Sequence, residues 1–130
     1  MNYRKYKRRS KHLISIPFIW LALFPAIVLD SVVELYHRVC FPLWGLPTVK
    51  RSDYIKMDRS KLSYLNMIDK INCTYCGYMG GLANYFVKIA WDTEAYWCGI
   101  KHKKYENFEE PKHHKDFLEY GDEKSFKEIK

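Results

Sequence analysis

"CTYCGYMGGLANYFVKIAWDTEAYWCGIKH", residues 73–102, decides how this chain folds. It opens on a C-x2-C pair, Cys73 and Cys76, and closes on Cys98 and His102, four residues apart. Thiolates and an imidazole in the order C-x2-C-x21-C-x3-H are the donor set of a tetrahedral zinc site. Gly77 would ease the chain around an ion, and Gly80 and Gly81 would allow a turn into the next helix. Tyr85, Phe86, Ile89 and Ala90 recur at helical spacing as an apolar stripe, so a helix is expected from about Leu82. One helix carried from there to Cys98 would hold the two half-sites far apart, at about 1.5 Å per residue. An intramolecular site therefore requires the chain to double back. Asp92 and Thr93 suit the N-cap of a new helix and Glu94 its first turn, so a break is expected over residues 91–93. With no break, a site shared between chains is the alternative, and the protein would be a homo-oligomer.

Two other readings of the thiols stand beside this one. C-x-x-C pairs can be redox dithiols, but no thioredoxin-like strand precedes Cys73. They can also be structural thiols or disulfides. "CTYCGY" is similar to the first iron-binding knuckle of rubredoxin. The second knuckle is missing, because "WCGIKH" places His102 fourth. Zinc is the expected cofactor, with iron or an iron–sulfur cluster as the alternative.

Upstream, "RSDYIKMDRSKLSYLNMIDKIN" holds a helix with Asp58 or Ser60 as its cap and Leu62, Leu65, Ile68 and Ile71 along one face. Further upstream, "LISIPFIWLALFPAIVL", residues 13–29, carries no charge and follows six Lys and Arg in the first twelve residues. A run of this length is at the short end of what crosses a bilayer core of roughly 30 Å. No cleavage site of the small-x-small kind follows it, so it reads as uncleaved. Asp30, Glu34 and Arg38 then recur every four residues, as in a helix leaving lipid for the headgroup layer. "FPLWGLP" ends that helix near Phe41. Basic residues lie on both sides of the apolar run, so the charge bias does not set its orientation. The segment either spans or, broken at Pro17 and Pro25, re-enters. Downstream, the tail mixes both charge signs. Phe117, Leu118 and Phe126 could dock one or two short helices, Asp122 can cap the last, and His113 and His114 read as solvated.

The expected protein is mostly α. A basic flank (1–12) precedes the membrane segment with its amphipathic extension (13–41). A linker (42–58) joins it to a helical metal-binding module (59–104), and a polar helical tail (105–130) follows. The net charge of +7, from 22 Lys and Arg against 15 Asp and Glu, flanks the apolar run. It suits anionic headgroups better than nucleic acid.

The stretch from Cys40 to His102 resembles a family of small bacterial membrane proteins that has no assigned reaction. The shared features are a proline-containing apolar segment with "LD", then "CFP-G-P", "DR-L-YLN-I-K-NC-YC-Y", "TE-YWC-IKH" and a "YGD" tail. The resemblance runs from Leu13 to Asp122. This chain has glycine at Gly99, where the pattern has proline, and glycine within "YMGGLANY", where it has asparagine. The resemblance implies a bacterial membrane; the inner membrane is expected, with the metal module on the cytoplasmic side, where reduced, metal-bound thiols are natural. The resemblance treats Cys73, Cys76, Cys98 and His102 as a unit and leaves Cys40 without a role.

The functional expectation is a membrane-anchored protein with a structural zinc site, acting as an accessory or scaffold subunit for a protein partner. Four protein ligands close a zinc site to substrate, which points away from catalysis. The alternatives are an iron or iron–sulfur electron-transfer protein and a lipid-interface enzyme using Asp30, Glu34 and His37. Those three residues are accounted for more simply as the polar face of an interfacial helix.

Overall fold

The structure, a computed structural model, describes residues 9–129. It is mostly helical, with no β-strand among the described residues beyond a single parallel bridge. Two compact units divide at Asn84 and Tyr85.

In the first unit, α1 (Arg9–Leu21) and α2 (Leu23–Leu43) are separated by Ala22 alone. Ala22 keeps helical dihedrals (φ −65°, ψ −20°), so the chain runs on without reversing. The re-entrant hairpin considered from Pro17 and Pro25 is therefore not formed. Pro17 sits inside α1, and Pro25 falls in the first turn of α2, where a missing N–H leaves little unsatisfied. Residues 14–43 together are long and apolar enough to cross a membrane, a property that signal sequences share. The helix stops at a left-handed Gly45 (φ 72°). There the Leu46 N–H donates to the Phe41 carbonyl and the Gly45 N–H to that of Pro42, the paired bonds of a Schellman stop.

The expected linker packs back on α2. The Val49 N–H donates to His37 Nε2 over 2.9 Å, and His37 is only 2% exposed. The His37 ring meets Phe41 edge-on at 4.6 Å, and Phe41 is fully buried. The short α3 (Arg51–Tyr54) places the Arg51 guanidinium against the Asp30 carboxylate in a bidentate pair. The Tyr78 hydroxyl donates to the same carboxylate over 2.7 Å. Asp30 and His37 thus face protein, not the headgroup layer.

The largest departure from expectation is α4 (Met67–Trp97), one helix of 31 residues where three were expected, one leading into Cys73, one from about Leu82 and one after a break over 91–93. Its cap is neither Asp58 nor Ser60, which fall in a one-turn 3₁₀ helix over 58–61. Asn66 does this work, its Oδ1 accepting the Asp69 N–H at 2.8 Å. Nor does the helix break over 91–93. Asp92 pairs with Lys88 one turn back, and Thr93 Oγ1 donates to the Ile89 carbonyl at 2.8 Å. Both residues spend their polar atoms inside the helix and cap nothing.

Gly77 and Gly81 serve close approach, not a knuckle. A Cβ on Gly77 would lie 2.5 Å from the Lys56 carbonyl oxygen, and one on Gly81 would lie 2.7 Å from both Ile55 Cα and the Tyr54 carbonyl oxygen. Leu82, next along the helix, is 3% exposed. Gly80 has open space beside it.

In the second unit α4 ends at Gly99 (φ 59°), with the Cys98 and Gly99 N–H groups both donating to the Glu94 carbonyl. Tyr85 and Ile89 are buried here, as expected, whereas Ala90 is exposed. The parallel bridge between Ile100 and Leu118 returns the tail to this helix end. A 3₁₀ turn over 112–116 precedes it, and α5 (Glu123–Ile129) follows, capped by Asp122 through the Ser125 N–H as expected.

Two outcomes check this packing. Gly81→Ala drives a methyl into backbone and should cost about 1–3 kcal/mol of stability in thermal melts. Gly80→Ala meets nothing and should gain about 0.5–1 kcal/mol through helix propensity. Burial and the hydrogen bond to Asp30 raise the Tyr78 phenol above its ordinary 10.0. Its contribution is therefore present below pH 10 and lost as pH rises through the raised value. Tyr78→Phe should remove the phenolate that ionises above that pH in an ultraviolet titration.

Candidate metal centre

Four groups converge at the C-terminal end of α4. Glu94, in the last turn, presents both carboxylate oxygens to three histidines. Its Oε2 lies 2.6 Å from His113 Nε2, and its Oε1 lies 3.1 Å from His114 Nε2 and 3.9 Å from His102 Nε2. The 3₁₀ turn supplies His113 and His114, and the strand-like stretch after Gly99 supplies His102. The Ile100–Leu118 bridge brings the two pieces together, through Lys101 N–H to Leu118 O and Leu118 N–H to Gly99 O, each 2.8 Å. Lys101 reinforces it with ion pairs to Glu119 and Glu110.

Packing holds the rings. Trp91, one turn before Glu94, stacks on His113 at 4.7 Å and 19°. Phe117 stacks on His114 at 4.7 Å and 23°. His114 is fully buried, while the side chain of His102 is 60% exposed and forms the open side of the group. Both His113 Nδ1 and His114 Nδ1 are buried with no hydrogen-bond partner among the described residues. The reading of these two histidines as solvated is corrected: aromatic stacking and the Glu94 carboxylate draw them out of water.

Burial alone would push the Glu94 carboxyl up. Hydrogen bonds from His113 and His114 and the charge of His114 outweigh it and hold the group below its ordinary 4.5. Glu94 is therefore a carboxylate at neutral pH, and as such it is a competent metal ligand.

One oxygen of Glu94 and one nitrogen each of His102 and His114 lie within 4.8 Å of one another. Ligand atoms about 2.0–2.2 Å from a zinc ion stand a little over 3 Å apart. The Glu94–His114 separation already meets that spacing, and the exposed His102 has room to close. His113 on the second carboxylate oxygen is placed to orient Glu94 from outside the coordination sphere.

The four ligands expected from sequence are divided between the two units, Cys73 and Cys76 in the first and Cys98 and His102 in the second. Cys73 and Cys76 lie i, i+3 within α4, half-buried and exposed respectively, and Cys98 lies just past its end, exposed. The chain reversal that one intramolecular site requires is absent. His102 alone among the four joins the observed group, with Glu94 and His114 in place of the thiols. Sequence offered one signal for this set: three of the five histidines fall within residues 102–114.

Glu94→Ala removes the shared acceptor and leaves His113 and His114 with buried nitrogens unpaired. It should lower stability by about 1–3 kcal/mol in urea melts. His102→Ala, at the exposed position, should change it by less than about 0.5 kcal/mol.

Comparison with family models, with curated proteins and with solved structures returns no match.

Proposed function

We propose that this is a membrane-anchored metal-binding protein, held by its N-terminal apolar helix and carrying a divalent transition metal on Glu94, His102 and His114. The observation that carries the reading is the approach of one carboxylate oxygen and two imidazole nitrogens to within 4.8 Å, with His114 fully buried. Two imidazoles and a carboxylate suit zinc, and iron(II) as the runner-up. An iron–sulfur cluster needs thiolates, and no cysteine belongs to the group.

Three protein ligands leave a fourth position open beside the exposed His102. That differs from the closed structural site expected from the cysteines. A water, or a side chain from a protein partner, would complete the coordination. An accessory role, in which partner and protein share the ion, follows from that opening.

Zinc titration of the detergent-solubilised chain by calorimetry tests the assignment, with bound metal counted by mass spectrometry. One zinc per chain is expected. Glu94→Gln and His114→Ala should abolish binding, and His113→Ala should weaken it about 10- to 100-fold, as loss of an orienting partner does. Cys73→Ser combined with Cys76→Ser should leave affinity unchanged. Retention of zinc by Glu94→Gln, or its loss with the two serines, would return the metal to the cysteines.

A further inference from the structure

Exposed apolar side chains surround α1, Ile16, Phe18, Ile19 and Trp20 among them, and along α2 they keep to one broad side that includes Phe24, Ile27 and Leu29. One line of them runs the length of both helices, from Ile14 through Leu21, Val28, Val32, Leu35 and Val39 to Leu43, each at least 50% exposed. Steps of three, four and seven residues keep them on one face of a helix. The opposite face, through Ala26, Asp30, Val33, His37 and Phe41, is buried or half-buried under the rest of the same unit.

That cover begins early in the apolar run. The Tyr75 hydroxyl donates to the Ile19 carbonyl at 2.8 Å, and the Tyr75 ring lies 5.4 Å from Trp20. Lys70 lines a cleft with Trp20, Leu23 and Ile27. A helix standing upright with residues 13–29 in the hydrocarbon would carry Lys70 to mid-bilayer depth, a costly place for an ammonium. It would also leave Val32, Leu35, Val39 and Leu43 in water. The whole stripe is about 45 Å long. That exceeds a core of roughly 30 Å even at the steepest usual tilt of about 40°.

We infer that α1 and α2 lie in the plane of one membrane leaflet, with the Ile14–Leu43 stripe immersed in lipid and α3 and the first half of α4 on the water side. The occupant of the stripe is an anionic bilayer surface. The six Lys and Arg in the first twelve residues supply the matching charge. This rests on the membrane reading above and replaces a spanning anchor with a one-sided one.

Depth measurements test it in vesicles of phosphatidylcholine with phosphatidylglycerol. Nitroxide labels are placed at Leu21→Cys, Val28→Cys, Leu35→Cys and Leu43→Cys in a chain whose native cysteines are serine. Oxygen and a water-soluble nickel chelate report how deep each label lies. The expected result is four depths equal to within one helical turn, about 5 Å. The wild-type chain, with its cysteines intact, carries a protease-cleavable tag at each end as a second measurement. Both tags should be cleaved from the same side of sealed vesicles. A steady gradient of depth, or tags on opposite sides, would overturn the in-plane placement and leave a spanning anchor. Labels that all remain in water would overturn the membrane reading together with it.

Discussion

The first unit depends on how one carboxylate is satisfied. Asp30 follows a run of seventeen residues without a charge, on a helix whose other face is apolar. A carboxylate there has a high desolvation cost unless it is fully hydrogen-bonded. It takes both terminal guanidinium nitrogens of Arg51 and the hydroxyl of Tyr78. Those partners come from α3 and α4, so satisfying one charge pins three helices. A bidentate arginine also fixes direction, which a lysine would not.

The glycines make that pinning geometrically feasible. Tyr78 reaches Asp30 only because α4 lies backbone to backbone against residues 54–57, at Gly77 and Gly81. Four-residue spacing puts the two glycines on one helix face, where any side chain would hold the neighbouring chain off. The propensity cost of two mid-helix glycines, about 1 kcal/mol each, is offset by packing that larger residues would prevent. His37 extends the same arrangement, taking the Val49 N–H on an otherwise apolar helix face.

In the second unit the organising group is again a carboxylate, with a different set of partners. Glu94 sits one turn from a helix end and gathers three imidazoles, one of them fully buried. The cluster is half-buried at Glu94 and exposed at His102, and it leaves two buried ring nitrogens without a partner among the described residues. Its ligand geometry and its exposed side at His102 are what favour a metal role.

Much of this was legible in the sequence. The apolar run, the amphipathic extension beyond Leu29, the stop at "FPLWGLP", the mostly helical character and the Asp122 cap all follow from local rules, because each depends on residues within a few positions of one another. The thiol site was a different kind of inference. C-x2-C with a distant C-x3-H specifies ligands only if the chain reverses between them, and reversal is decided by competition. Asp92 and Thr93 are good caps, yet each is equally well satisfied by a partner one turn back, and the helix then continues. Gly77 and Gly81 read as parts of a knuckle and its turn or as a packing face, depending on what lies opposite, and spacing along the chain does not say what does. Glu94, His102, His113 and His114 come together only through the Ile100–Leu118 bridge, a contact between residues eighteen apart that no periodicity encodes. Sequence determined the elements and the charges that had to be satisfied. Tertiary structure decided which partner satisfied each, because burial, not spacing, sets the cost of leaving one unpaired.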